Sequence, residues 1–536
     1  MKHYYITFFM LLFSTAMFSQ VEDAWVYFSG KPNAQHYLDN PLEMLSQRAL
    51  DRRTNQSIAL DVTDTPIEST YVSQVKASTG ITVMAQSKWM NALHIRGTQA
   101  DINGLKLFSF VSKVVFANKT LNTSKKVSEN TIAQTKDKLK TTIDYSYGNS
   151  ANQIQMLNGQ VLHKQNYTGT GKIIAVLDAG FPGVDTADPF QNLRTNNRIL
   201  GGYDFTNRNA NFYTGDDHGT MVLSTMGGYK ENALVGTAPD ASYYLFITEI
   251  AATENPVEES LWVEAAEEAD RLGVDIITTS LGYFGFDNAA YSHTYSDMNG
   301  ITNFISRGAE IAFSKGIFVV ASAGNEGATT EPHIGSPADA VSVLTVGSVN
   351  ASKVKAGSSS IGPSSDNRIK PDVMAQGVAA VISTPTGTIG TANGTSFSCP
   401  IMAGMVACLW QAFPTKTNKE IRQMILASSD KYTSPNNNYG YGIPNFGSTL
   451  GAESFIASTT IFSVYPNPAQ TDISFSFLND TNTASVSIYS ILGQKLIEKQ
   501  ITSQNPVLSV QTLKSGLYFY TFDADGLHKS GKIIKQ

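Results

Sequence analysis

The run "GKIIAVLDAG" at residues 171–180 decides the fold. Its five apolar residues, Ile173 to Leu177, are consecutive rather than alternating, as in a strand covered on both faces. Four further runs share this character: "YYLFI" (243–247), "VDIITTSL" (274–281), "GIFVVASA" (316–323) and "VSVLTVG" (341–347). Helical patterns lie between them. In "ESLWVEAAEEADRLG" the residues Leu261, Ala265, Ala269 and Leu272 share one face, and Gly273 stops the helix. Buried strands alternating with helices predict an α/β, doubly wound, mostly parallel sheet over residues 151–455.

Outward from this block the patterning changes on both sides. Residues 21–116 read as strand, helix, two strands, helix, strand: "AWVYFS", "IESTYVSQVKAS", "ITVMAQ", "NALHIRG", "QADINGLKLF", "VSKVVFAN". That order predicts a small ferredoxin-like α+β unit. Residues 117–150 turn polar and read as an exposed linker open to cleavage. Beyond residue 460 the chain alternates without helical periodicity ("ISFSF", "ASVSIYS", "QKLIEKQ", "PVLSVQ", "GLYFYTFDADG"), which predicts a small all-β sandwich to residue 536. The first 20 residues have a short basic start, an apolar run and then small residues, the pattern of a secretory signal peptide.

With 536 residues, three or four such units are expected. The chain is 42% hydrophobic, enough for packed cores. A net charge of −6 with 16% charged residues gives no electrostatic case for nucleic acid. No later stretch reads as a membrane span. The two cysteines, Cys399 and Cys408, are nine positions apart. On one helix that is roughly 13 Å, too far for a disulfide, so two buried free thiols are expected.

Ligands of open α/β sheets sit beyond the C-terminal strand ends. There the sequence places Asp178 ("DAGF"), Ser280 ("SLGY") and Asn325 ("GNEG"). His218 ("DDHGTMV") and Ser396 ("NGTSFSCP") stand at helix starts. A serine hydroxyl needs a neighbouring base, a histidine supplies it, and a carboxylate fixes the imidazole tautomer. An amide beside a helix N-terminus can hold a developing oxyanion. Taken singly, each motif is an ordinary cap or turn; their joint order argues for acyl transfer. Of the three nucleophiles in "NGTSFSCP", Ser396 is favoured. Ser398 lies about 200° round the helix and Cys399 about 300°, as packing residues. Pro400 is read as marking the helix start.

The blocks "VLDAG", "DHGTMV", "SLG", "AGNEG" and "NGTSFSCPIMAG", in that order, resemble the subtilases, the subtilisin-like serine peptidases, over roughly 151–450. The resemblance implies a secreted serine endopeptidase with Asp178, His218 and Ser396 as triad and Asn325 as oxyanion donor. It also implies a specificity pocket along Ser280–Leu281–Gly282 and Ser322–Ala323–Gly324, with Gly335 near its base. None of these seven is charged, so an apolar or aromatic residue before the cut bond is expected. Where the family usually has Ser or Thr after the acid, this chain has Ala179. The N-terminal unit resembles the subtilase propeptide, implying an intramolecular inhibitor. The C-terminal segment ("YPNPAQTDISF", "SIYSILGQKL", "LKSGLYFYTFDADG") resembles the type IX secretion sorting domain of Bacteroidetes, implying a secretion-machinery partner and export through the periplasm.

No cofactor is required for such chemistry. Subtilases often bind calcium, but no 12-residue Asp/Asn loop of the EF-hand sort is present, so a structural calcium stays unplaced. Asp216 and Asp217 read as caps of the His218 helix. The aromatic loop 283–303 is expected to border the cleft. The alternative reading is a catalytically weak subtilase-fold binding or adhesion protein, with esterase activity as a third.

Overall fold

The computed structural model describes residues 20–122, 144–450, 464–465, 469–475, 483–490, 494–502, 506–524 and 527–536. The signal-peptide reading and the centre of the 117–150 segment therefore fall outside the described residues. In the described flanks of that segment Ala117, Tyr147 and Ser150 are buried, while Lys119, Thr120, Asp144 and Ser146 are exposed. Two units separate, residues 1–450 and 451–536.

The N-terminal part contains strands β1 (Val21–Phe28), β2 (Thr82–Ser87), β3 (Ala92–Thr98) and β4 (Val111–Phe116). They form an antiparallel sheet in the order β2-β3-β1-β4, the ferredoxin-like arrangement. Strand β1 is buried at every position but its first because it is covered twice. Ala24, Val26 and Phe28 face the unit's own core. Trp25 and Tyr27 alternate to the other side and join the core of the larger domain. One feature was not anticipated. Between β1 and β2 an arm carries helices α1 (Ala34–Asp39) and α2 (Gln47–Asn55), ahead of α3 (Ser69–Lys76). Helix α4 (Gln99–Gly104) completes the unit.

The main sheet of the larger domain has seven strands: β5 (Ile173–Asp178), β6 (Ile199–Asp204), β7 (Ser242–Ile247), β8 (Ile276–Thr279), β9 (Phe318–Ser322), β10 (Leu344–Val349) and β11 (Val373–Gln376). Their order is β11-β10-β9-β8-β5-β7-β6 and every pairing is parallel. Winding reverses between β5 and β8, so the ligand crevice of such a sheet is expected at their C-terminal ends. The helices that matter below are α5 (His218–Gly227), α6 (Val257–Leu272), α7 (Phe304–Ser314) and α8 (Thr395–Ala412). Gly273 ends α6 in the left-handed region, φ 80°. Trp25 stacks on Phe304 of α7 at 5.3 Å, and the Glu267 carboxylate of α6 accepts the backbone N–H groups of Lys88 and Trp89 at 2.9 and 3.0 Å. The sheet of the small unit thus lies across α6 and α7.

The C-terminal unit has a three-stranded and a four-stranded antiparallel sheet. Phe475 of the first meets Tyr520 and Phe522 of the second at 5.7 and 5.8 Å, around one shared core. This is the expected sandwich. Among the described residues no helix is long and apolar enough to cross a membrane.

Candidate active site

Asp178 is the last residue of β5 and fully buried. His218 begins α5, where the Asp216 carboxylate, not that of Asp217, accepts its backbone N–H at 3.0 Å. Gly219 lets this helix end approach β5: a Cβ there would stand 2.4 Å from the Gly180 carbonyl and 2.9 Å from Asp178 Cβ. The two functional side chains consequently meet, His218 Nδ1 lying 2.7 Å from Asp178 Oδ1. That oxygen also accepts the Ala179 backbone N–H at 2.8 Å. Asp178 Oδ2 is buried and receives no hydrogen bond from the protein. With both donors on Oδ1, the carboxylate keeps uncompensated charge. Its field, helped by Asp216 and Asp217, pushes the half-buried His218 imidazole up to about 9 against the effect of burial.

Ser396 stands at the second position of α8, behind Gly394 as N-cap. All but one of the helix's 18 residues are buried, so α8 is a core helix with a fixed start. Pro400 falls inside the helix rather than in its first turn. Lacking an N–H, it leaves the Ser396 carbonyl without its intrahelical donor. Ser280 Oγ takes that place at 2.8 Å and ties the helix start to the end of β8. Ser396 Oγ itself makes only a long contact of 3.5 Å to the Ser280 carbonyl. Ser398 Oγ turns back onto the Thr395 carbonyl at 3.1 Å. Cys399 is buried against the Thr279 carbonyl, Sγ 3.4 Å away, and burial pushes its thiol up to about 12. Both cysteines are free and buried on the one helix.

Asn325 follows β9 at the exposed surface. Gly324 before it takes φ 101°, and a Cβ there would lie 2.4 Å from Glu326 Oε2. Asn325 Oδ1 accepts from Thr395 N at 3.0 Å and Thr395 Oγ1 at 3.2 Å, which leaves the Nδ2 group to donate elsewhere. Neither this clamp nor the Ser280 hydroxyl's role is legible in the sequence, because both are contacts between distant segments.

Ser280 and Leu281 leave β8 buried, and Ser322, Ala323 and Gly324 leave β9 beside them. Gly335 is held against the same ridge, since Tyr283 N and O pair with Ser336 O and N at 2.8 and 3.1 Å. The aromatic loop is contacted by the small N-terminal unit: Tyr291 Oη donates to Glu22 at 3.1 Å, and Lys119 Nζ to Asp297 at 2.8 Å. Among the described residues one acidic trio, Glu249, Glu254 and Glu258, brings carboxylate oxygens within 4.8 Å of one another. Glu258 already accepts from Ile250 N and Asn255 N, and Glu249 from Tyr283 Oη. Burial raises all three above the usual carboxylate range, Glu254 and Glu258 to about 7. Glu249 and Glu258 thus already hold protein donors, and the trio is assigned no ion.

The chain matches three family descriptions. Residues 169–442 match the "Subtilase family", residues 23–135 the "Peptidase S8 propeptide domain, Bacteroidota", and residues 463–536 the "Secretion system C-terminal sorting domain". It is 33% identical over 295 residues to Subtilisin NAT of Bacillus subtilis subsp. natto, covering 54% of this chain and 69% of the relative. Subtilisin E of Bacillus subtilis (strain 168) gives the same identity and coverage. Serine protease AprX of the same strain is 28% identical over 319 residues, covering 54% of this chain and 67% of its own length.

Proposed function

This chain belongs to the subtilase family, and from that premise we propose that Ser396 is its nucleophile, His218 its general base and acid, and Asp178 the acid that orients His218. It is a subtilisin-like serine endopeptidase, and its sorting domain marks it as secreted or held at the cell surface. Ser396 Oγ attacks the peptide carbonyl while His218 Nε2 takes its proton, then returns that proton to the leaving amine. Asp178 Oδ1 holds the Nδ1–H and steadies the imidazolium. Asn325 Nδ2 and the Ser396 backbone N–H receive the oxyanion. Because Ser396 Oγ makes only a 3.5 Å contact in the resting state, it turns toward His218 without losing a strong bond.

The observation that carries this reading is the 2.7 Å bond between His218 Nδ1 and buried Asp178, at the sheet end where α8 presents Ser396. A fluorophosphonate probe tests it after propeptide removal: the parent is expected to be labelled and Ser396→Ala not. An unlabelled parent would sink the enzyme assignment of these residues and leave the binding or adhesion reading, whose one support is Ala179 beside the unpaired Asp178 Oδ2.

Substrate is read as a protein chain with an apolar or aromatic residue before the cut bond, received by Ser280–Leu281–Gly282, Ser322–Ala323–Gly324 and Gly335, with the 283–303 loop at the rim. Strict cleavage after arginine or lysine in a peptide library would overturn this. The organisation we infer is signal 1–20, propeptide 21–116, cleavable segment 117–150, catalytic domain 151–455 and sorting domain 460–536. In it the propeptide is an intramolecular inhibitor and the sorting domain engages the secretion machinery. The chemistry needs no cofactor, and a structural calcium ion is left without an assigned site.

A further inference from the structure

The arm between β1 and β2 docks at the opposite end of the catalytic sheet from Ser396. Helix α2 is N-capped by Ser46, whose side chain accepts Ala49 N, and it delivers Arg48, Arg52 and Arg53 to the C-terminal ends of α6 and α7. Arg48 Nε donates to the Gly273 carbonyl at 2.9 Å and its guanidinium pairs with Asp275. Arg52 donates to the Val274 and Lys315 carbonyls at 2.6 and 3.3 Å and pairs with Asp270. Arg53 bridges Asp270 and Asp64, both at 2.8 Å. In return Lys315 of the catalytic domain reaches back to Asp61 and Asp64 of the arm at 3.1 and 3.0 Å. Gln56 links the Gly316 carbonyl and Asn418 N at 2.7 and 3.0 Å.

Cations at helix C-termini satisfy carbonyls that the helix cannot pair and complement its dipole. Here those cations belong to the propeptide and the carbonyls to the catalytic domain. Gly273, Val274 and Lys315 precede β8 and β9, whereas Ser280 and Asn325 follow them. One strand of five rises, ~17 Å, therefore separates the arm from the cleft end. The arm cannot block substrate; it can only hold.

We propose that the surface formed by Asp270, Asp275, Lys315 and the adjoining carbonyls is a docking exosite for the propeptide arm, and that it governs how long the cleaved propeptide stays on the catalytic domain. This rests on the propeptide reading above and adds where its grip resides. Inhibition at the cleft and retention at the far end of the sheet are then separate functions of one propeptide.

The test uses the full chain with Ser396→Ala and a site-specific protease sequence inserted between Thr131 and Ile132. It therefore runs without the chain's own activity, and failure of the catalytic assignment would show in probe labelling instead. After the added protease cuts, size-exclusion chromatography follows the propeptide fragment. The fragment is expected to co-elute with the catalytic domain. With Arg52→Ala and Arg53→Ala together it should dissociate at least about tenfold faster, since charge-assisted bonds to buried partners are lost. Where that variant fails to fold, Arg48→Ala decides, because its side chain is partly exposed and leaves the Asp270 cluster intact. A folded arm variant that keeps its fragment as long as the parent does would overturn the proposal, as would a parent fragment that leaves at once.

Discussion

Asp178 and Asp270 are both fully buried carboxylates paired with a cationic partner, yet they are built oppositely. Asp270 has both oxygens occupied, Oδ1 by Arg52 and Arg53 and Oδ2 by Arg53. Burial opposes its charge, but Arg53 and Arg52 outweigh it and bring Asp270 down to about 2. Asp178 has both its donors on Oδ1 and none on Oδ2. A carboxylate that only holds is saturated with permanent cations. One that must steady an imidazole through a proton cycle faces a group that gains and loses charge.

The comparison can be broken most forcefully at Asp178. Asp178→Asn should lower kcat/KM by about 10⁴ while leaving the melting temperature near the parent's, because it removes the correct tautomer and not a packed group. A loss below tenfold would show that Asp178 does not orient the base. Asp270→Ala should do the reverse. Removing one partner of a buried pair costs about 3–5 kcal/mol, so unfolding of the precursor in urea should move by that much. An unchanged midpoint would mean the arginines find other partners. Asn325→Ala should cost about 10²–10³ in kcat with KM little changed, the signature of a donor used in the transition state.

Two pH experiments sharpen the contrast. His218 must be neutral to accept a proton, and it is held up to about 9. Activity of the mature enzyme should thus rise with pH through about 9, and a plateau reached by pH 7 would contradict this. Asp270 works in the other direction. Its folded value of about 2 lies below its ordinary 3.8, so its pairing stabilises fully above about 4 and fades as pH falls toward 2. Acid titration of the Ser396→Ala precursor should loosen the arm in that window and not above it. The smallest effect is expected from Ala179→Ser. A hydroxyl placed to donate to Asp178 Oδ2 spreads the carboxylate's charge, so His218 should titrate lower, by about one pH unit or less. An upward move would show that the hydroxyl fails to reach Oδ2.

Much of the fold was legible because its signals are local. Continuous apolar runs such as Ile173–Leu177 and the Gly273 stop each report their own segment, and five such strands suffice to predict the parallel sheet. The site's residues were legible for the same reason, each standing beside a recognisable turn. The arm is hard to read from sequence although Ser46 is a good N-cap signal, because "SQRALDRRTNQ" carries almost no apolar face. Its helix is held by arginine contacts to a domain more than 200 residues away in sequence. Pro400 differs from its local reading for a related reason. Its place in the sixth position of α8 depends on Ser280, a partner no local pattern announces.

The sequence by itself determined the layered domains, the strand ends and the residue types available for acyl transfer, since periodicity and turn chemistry are properties of neighbours in the chain. Only the tertiary structure decided which oxygen of Asp178 is used, which end of Asn325 is free to donate, and where the propeptide arm grips. Those outcomes are set by donors and acceptors brought together from segments 40 to more than 200 residues apart, and hydrogen bonding is decided over a few ångströms of space, whatever the separation along the chain.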